Sequence, residues 1–167
     1  MCGRYTLFTD KEYQDIRKII RAVQEKGHEV KTGEIYPTNP APILVWEGKE
    51  TVPQAVKWGW PKFQGSGVLI NARAETAKEK NLFRKSVYPR RCVVPTTGFY
   101  EWDQEKAKYR FILPHASTLY LAGLYNEFQG ERRFLILTTE ANASVSFIHS
   151  RMPVIIFREM IDTWLED

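Results

Sequence analysis

The stretch Arg90–Trp102, RRCVVPTTGFYEW, decides how the chain is read. Its first part, RCVVP (91–95), is short, apolar and β-branched, the signature of a buried strand. Its second, GFYEW (98–102), is an aromatic strand, and polar, turn-forming residues lie between the two. The same pattern recurs on both sides, in ILVW (43–46), QAVKWGW (54–60), GVLINAR (67–73), YRFIL (109–113), LYLAGLY (119–125), RFLILTT (133–139) and MPVIIF (152–157).

Helices are fewer. Thr9 and Glu12 match a capping box, Tyr13, Ile16, Ile19, Ile20 and Val23 recur at helical spacing, and Gly27 is a stop signal. TGEIYPTNPAP (32–42) reads as a proline-punctuated loop. NLFRKSV (81–87) is a helical piece, a further helix is expected after Thr139 within TTEANASVSFIH (138–149), and REMIDTWLE (158–166) is a closing amphipathic helix. No internal repeat, low-complexity tract or linker interrupts the pattern. The expectation is one α+β domain over residues 1–167. Its mainly antiparallel or mixed strands would form a distorted barrel or packed sheets with a few flanking helices.

The 167 residues are 43% hydrophobic and 26% charged, ordinary values for a soluble globular protein. A net charge of +4 is compatible with a polyanionic partner without identifying one. No run approaches the roughly 20 apolar residues of a membrane span, and no basic segment followed by an apolar one marks secretion. The cytosol is therefore the expected compartment, where thiols stay reduced. Cys2 and Cys92 form no CxxC pair, and Cys92 reads as a small core residue. His28, His115 and His149 have no ligand spacing, so neither metal nor cofactor is expected. The default oligomeric state is monomer.

Four segments are more polar than core strands require. In MCGRY (1–5), removal of Met1 would leave Cys2 with an α-amine and a thiol on adjacent carbons, a pair no internal residue can offer. In INARAET (70–76), Asn71 follows an apolar strand, and its amide can orient a substrate through donor and acceptor alike. Arg73 and Glu75 follow at period two; for Glu75 a structural ion pair is the simpler role. In GFYEW, Glu101 either faces solvent or faces a pocket whose apolar walls would raise its pKa and make it a general acid or base. In HSRMP (149–153), His149 either meets a helix dipole or transfers protons, and Arg151 is either a phosphate contact or a surface ion pair.

Taken together and in order, MCGRY, INARAET, RRCVVPTTGFYEW, AGLY (122–125), ILTTEAN (136–142) and HSRMPVII (149–156) resemble the SOS response-associated peptidase family, the SRAP domain. The blocks run from Cys2 to Ile156. The resemblance implies a sensor of abasic sites in single-stranded DNA, acting in the DNA-damage (SOS) response of a bacterium or phage and crosslinking through the N-terminal cysteine. An imine formed by the amine with the sugar aldehyde would hydrolyse readily. A thiol already tethered two carbons away would close it to a thiazolidine, at effective molarities of ~10⁵ M or more.

By the same resemblance, Asn71 would position the deoxyribose or the Cys2 backbone. Glu101 would handle protons at the amine, and His149 would assist sugar ring opening. Arg73 and Arg151 would grip phosphates, with Thr138 a lesser contact. Arg4 would either hold a phosphate or shift Cys2 toward its nucleophilic forms. Pro37, Thr38, Trp58 and Gly59 match positions near the DNA; Trp58 would stack on a base or lie in the core. AP-lyase activity and autoproteolysis at the N-terminus are further implied. Two other readings remain open: an N-terminal-nucleophile hydrolase and a single-stranded DNA-binding module without chemistry.

Overall fold

Side chains alternate across a strand with period two, so each long strand here has one face for an interior and one for an outer layer. In the computed structural model, which describes residues 1–166, that alternation builds a closed barrel. The elements are β1 (Tyr5–Leu7), α1 (Gln14–Glu25), β2 (Gly33–Ile35), β3 (Pro40–Glu47), β4 (Glu50–Trp58), β5 (Trp60–Pro61), β6 (Val68–Leu69), β7 (Asn71–Arg73) and α2 (Asn81–Arg84). They continue with β8 (Arg91–Thr96), β9 (Gly98–Trp102), β10 (Lys108–Phe111), β11 (Leu119–Phe128), β12 (Glu131–Glu140), β13 (Arg151–Pro153), β14 (Ile155–Ile156) and α3 (Ile161–Glu166).

The barrel closes in the order β12-β4-β3-β8-β11 and back to β12. All its pairings are antiparallel except β4 with β12, which is parallel. Tyr5, Ile43, Val45, Trp58, Cys92, Val94, Leu121, Phe134 and Ile136 fill the interior. The alternate residues Leu124, Leu135 and Leu137 pack outside against Phe83 and Val87 of the α2 segment. Leu44, Val93 and Tyr120 pack against Ile161 and Leu165 of α3. A four-stranded antiparallel sheet, β10-β9-β1-β2, lies beside the barrel.

The deciding stretch crosses from barrel to sheet between β8 and β9. The buried crossing keeps its polar groups paired: Thr96 Oγ1 lies 2.8 Å from the carbonyls of both Thr6 and Gly98, and the Thr6 and Thr97 hydroxyls share a 2.7 Å hydrogen bond. Gly59 separates β4 from β5 at φ +114, and a Cβ there would stand 2.6 Å from Val68 Cγ2, so no other residue fits.

The α+β barrel with flanking helices is the expected architecture, and four local expectations are corrected. The first helix starts at Gln14 with no side-chain cap, so Thr9 and Glu12 form no capping box; Gly27, at φ +83, does end it. The proline-rich 32–42 segment is largely strand, because its turn is confined to Tyr36–Asn39 and Pro40 is the first residue of its strand, where a missing N–H is tolerated and its carbonyl accepts the Lys31 N–H at 2.8 Å. No helix follows Thr139: β12 continues to Glu140, and Asn142 Oδ1 accepts the Ser144 N–H at 3.0 Å, folding 142–149 into turns. MPVIIF is two strands because Val154 changes partner, donating to Leu137 at 2.9 Å while accepting from Ala122 at 2.8 Å. No helix among the described residues is long and apolar enough to cross a membrane.

Candidate active site

β1 leads the N-terminal residues into the barrel mouth, and Cys2 is fully buried as part of the interior core. Burial, then the negative charge of Glu101, pushes its thiol up to about 12. In this chain the α-amine belongs to Met1. It lies 3.2 Å from Glu101 Oε1 and 2.9 Å from His149 Nε2.

Glu101 reaches this place because of strand periodicity. On β9, Phe99 and Glu101 face inward while Tyr100 and Trp102 face out, so the carboxylate is only 2% exposed. Of the two roles open to it, the inward one holds. Burial raises its pKa above the ordinary 4.5, and the Met1 ammonium and His149 pull it partly back. Its Oε2 lies 3.8 Å from His149 Nε2.

His149 leaves the 142–149 turns rather than a helix, so no helix dipole acts on it. Its Nδ1 lies 3.0 Å from the Arg151 N–H and 3.2 Å from the Arg151 carbonyl. The Arg151 N–H donates to Nδ1, which serves there as an acceptor, while Nε2 faces the Met1 nitrogen.

Asn71 opens β7, which pairs in parallel with β12 at Ile136. Its Nδ2 donates to the Ile136 carbonyl at 3.3 Å, leaving Oδ1 buried with no partner among the described residues. A buried unpaired carbonyl is costly and therefore suits a ligand donor.

Arg73 is exposed on β7, and its side chain makes no hydrogen bond or ion pair among the described residues. Arg151 is closed off: both terminal nitrogens meet Glu75 at 2.9 Å, and Nη2 donates to Thr138 Oγ1 at 3.1 Å. This fork holds Glu75 down to about 2. Glu75 thus forms the expected ion pair, with Arg151 from another strand, and the buried Thr138 hydroxyl belongs to the same cluster.

Arg4 stacks on Tyr36, 4.1 Å from its ring centroid, and on Trp102 at 5.2 Å; it also approaches Glu34 Oε2 at 3.9 Å. Its guanidinium is not among the groups that shift the Cys2 thiol; only its backbone carbonyl meets the thiol, lowering it slightly against the larger upward push of burial. Lys108 completes this outer face, 2.7 Å from Glu34 Oε1 and 4.0 Å from the Tyr100 centroid. Sequence reasoning missed Tyr36, Trp102 and Lys108. The period-two pattern of GFYEW, extended to its neighbours, was the available signal.

Trp58 is fully buried, stacked near-parallel on Phe134 at 6.3 Å and donating to the Ile70 carbonyl at 3.2 Å. Its burial is that of a core residue. Gly59 is likewise a structural break. Pro37 and Thr38 form the turn pinned to Trp58, with the Thr38 N–H on its carbonyl at 2.7 Å. Thr38 holds φ +77, a strained value for a β-branched residue. Among the described residues no group of three or more His, Cys, Asp or Glu is arranged to hold a metal ion.

A family model described as SOS response associated peptidase (SRAP) matches residues 1–167. The chain is 35% identical over 185 residues to the abasic site processing protein YoqW of Bacillus subtilis (strain 168), covering 99% of this chain and 80% of that one. It is 28% identical to the abasic site processing protein YedK of Escherichia coli (strain K12), over 99% of this chain and 79% of that one. A crystal structure of a protein from Bacteroides thetaiotaomicron superposes with a TM-score of 0.77 at 26% identity, covering 98% of this chain and 81% of that one.

Proposed function

The chain belongs to the SOS response-associated peptidase family, and from that premise we propose that it processes abasic sites in single-stranded DNA, capturing the sugar aldehyde covalently through Cys2 once Met1 is removed. The observation that carries this reading is the chain's leading amine held between a buried carboxylate and an imidazole, 3.2 Å from Glu101 and 2.9 Å from His149, above a buried cysteine.

The chemistry is redox-neutral. An abasic deoxyribose is mostly a closed hemiacetal, and His149 moves the proton that opens it to the aldehyde. The Cys2 amine, deprotonated by Glu101, adds to that carbon. The resulting carbinolamine takes a proton and loses water to give an imine. The thiol then adds across the C=N bond: sulfur bonds to carbon, and the thiol proton ends on nitrogen. The product is a thiazolidine, and one water is released. Burial disfavours the free thiolate, so the thiol reacts poorly in that form at neutral pH. Addition to the imine answers this, because the nucleophile is tethered and its proton has an adjacent acceptor. Asn71 Oδ1, buried and unpaired, accepts a sugar hydroxyl or the freed Cys2 N–H. Arg73 takes a flanking phosphate. In the imine stage the strand is open to lyase-type cleavage.

The test is denaturing electrophoresis after incubating Met1-free protein with single-stranded DNA carrying one abasic site. A heat-resistant protein–DNA band that requires Cys2 is expected. Its absence with wild type overturns the proposal, because a hydrolase or a plain binder makes no such band.

A further inference from the structure

Met1 is bonded to the nitrogen that, in a trimmed chain, attacks the aldehyde. Its carbonyl carbon is planar and joined to the Cys2 nitrogen, as an imine carbon would be. Its Cα is then the counterpart of the carbon next to the aldehyde. The untrimmed N-terminus is therefore a covalent stand-in for a captured aldehyde, and its contacts show what the site offers each substituent.

The two substituents on that Cα go to different places. The nitrogen points inward, 3.2 Å from Glu101 Oε1 and 2.9 Å from His149 Nε2. With Glu101 only 2% exposed, water competes little for a group held there. The side chain points outward and is 73% exposed. The L configuration of the Cα is what sorts them, polar group in and carbon chain out.

The frame behind Met1 is fixed independently of it. Cys2 is fully buried, the Tyr100 N–H donates to the Arg4 carbonyl at 2.9 Å, and β1 is paired on one side with β2 and on the other with β9. Trimming leaves these anchors in place, so the Cys2 nitrogen keeps its position and the space of Met1 becomes free. An abasic deoxyribose carries only hydrogens on the carbon next to its aldehyde, and that carbon sends no donor to the place of the Met1 nitrogen. A free α-hydroxy aldehyde carries a hydroxyl there, and an α-amino aldehyde an ammonium.

We infer that the trimmed site also captures free small aldehydes bearing a hydroxyl or ammonium group on the carbon next to the carbonyl, in the configuration of L-Met1; the inference rests on the Cys2 chemistry proposed above and adds a second substrate class to it. The amine adds to the carbonyl carbon and the oxygen leaves as water. The thiol adds across the C=N bond, its proton passing to nitrogen, and nothing is oxidised or reduced. The α-hydroxyl or ammonium donates to Glu101 beside His149, and the rest of the aldehyde follows the Met1 side chain to solvent. Both nucleophiles of Cys2 are then occupied, so such an aldehyde competes with DNA.

The test uses L- and D-glyceraldehyde, of which the L form matches the configuration of Met1, with propanal as an aldehyde lacking the α-hydroxyl. Trimmed protein is brought to equilibrium with each, and intact mass spectrometry reads the fraction carrying the aldehyde less one water. L-Cysteine methyl ester, treated alike, gives the reactivity of the amine–thiol pair without a site. Relative to that reference, the protein should favour L-glyceraldehyde about 10-fold over the D form and over propanal, as a hydrogen bond to a charged group provides. Glu101→Gln should shrink the L preference, since equilibrium constants do not register a slower approach. Protein loaded with L-glyceraldehyde should give less DNA adduct. Equal constants for the two enantiomers on wild type, or an L preference undiminished in Glu101→Gln, overturn the inference. Absence of a DNA adduct with unloaded wild type would instead sink the abasic-site reading, and the glyceraldehyde masses would still decide the second substrate class.

Discussion

The amine of Met1 stands 2.9 Å from Nε2 of His149, so the group that the site handles belongs, in this chain, to the residue ahead of the cysteine. Consecutive Cα atoms are ~3.8 Å apart, so trimming moves the reactive nitrogen by about that distance toward Cys2. A chain retaining Met1 offers an amine with no thiol on the adjacent carbon. It should give an abasic-site imine trapped only by borohydride, whereas the trimmed chain gives a heat-resistant adduct without reductant. A heat-resistant adduct from chains that mass spectrometry shows to be wholly untrimmed would contradict the ring-closure account.

Cys2 and Cys92 are both fully buried, with the first thiol pushed up to about 12 and the second raised further by burial alone. The folded state keeps both thiols protonated, so the stability they contribute is full below the ordinary 9.0 and is lost as pH rises through the folded values. Untrimmed protein should therefore resist iodoacetamide at pH 8 and take up two equivalents only when denatured. Its melting temperature should fall steadily above pH 9. Rapid alkylation of Cys2 in the native untrimmed chain would show that the thiol is not enclosed.

Glu101 opposes stability while serving the site. Burial raises its pKa, so the folded chain favours the protonated form; the stability this lends is full below 4.5 and is lost as pH rises through the raised folded value. Glu101→Gln keeps the shape and removes the buried charge. At pH 7 it should melt higher, by ~2–4 °C for each kcal/mol gained. On abasic DNA the trimmed variant should form adduct about 10²–10⁴-fold more slowly, the usual cost of losing a general base. Lower stability together with unchanged adduct rates would reverse both assignments.

The strand-rich α+β architecture was legible because its strands alternate cleanly, with Phe134 and Ile136 on one face and Leu135 and Leu137 on the other; closure into a barrel, and the inward turn of Glu101, were left open. What could not be read were features fixed by distant partners. Arg151 and Glu75 are 76 residues apart, and their fork exists only because β7 and β13 both pair with β12. The segment after Thr139 carries small residues that suit a helix behind threonine caps, but β12 pairs with β13 through Glu140 and Asn142 then accepts the Ser144 N–H, so the chain turns instead. Trp58 shows the limit most plainly, since tryptophan suits a core and a base stack equally well. A test of its burial follows: Trp58→Ala should cost about 3–5 kcal/mol of stability, whereas Trp58→Phe should stay folded with near-wild-type DNA affinity. A large affinity loss in the folded Phe variant would return the ring to the DNA.

The Glu75–Arg151 fork sets the acid limit of the site. Glu75 is held near 2 against an ordinary 4.5, chiefly by its hydrogen bonds to Arg151. A depressed carboxylate lends stability that is full above 4.5 and is lost as pH falls toward 2. Because Glu75 is 44% exposed, solvent screens the pair and the total effect is modest. Its local consequence is larger, since the Arg151 backbone N–H and carbonyl both meet Nδ1 of His149. Glu75→Gln should flatten the fall in melting temperature between pH 4.5 and 2 and slow adduct formation at saturating DNA. Affinity should hold or tighten as one negative charge leaves the site. Glu75→Asp should recover part of the rate. If Glu75→Gln instead weakens binding and leaves the saturated rate intact, Arg151 acts on the DNA directly rather than through the placement of His149.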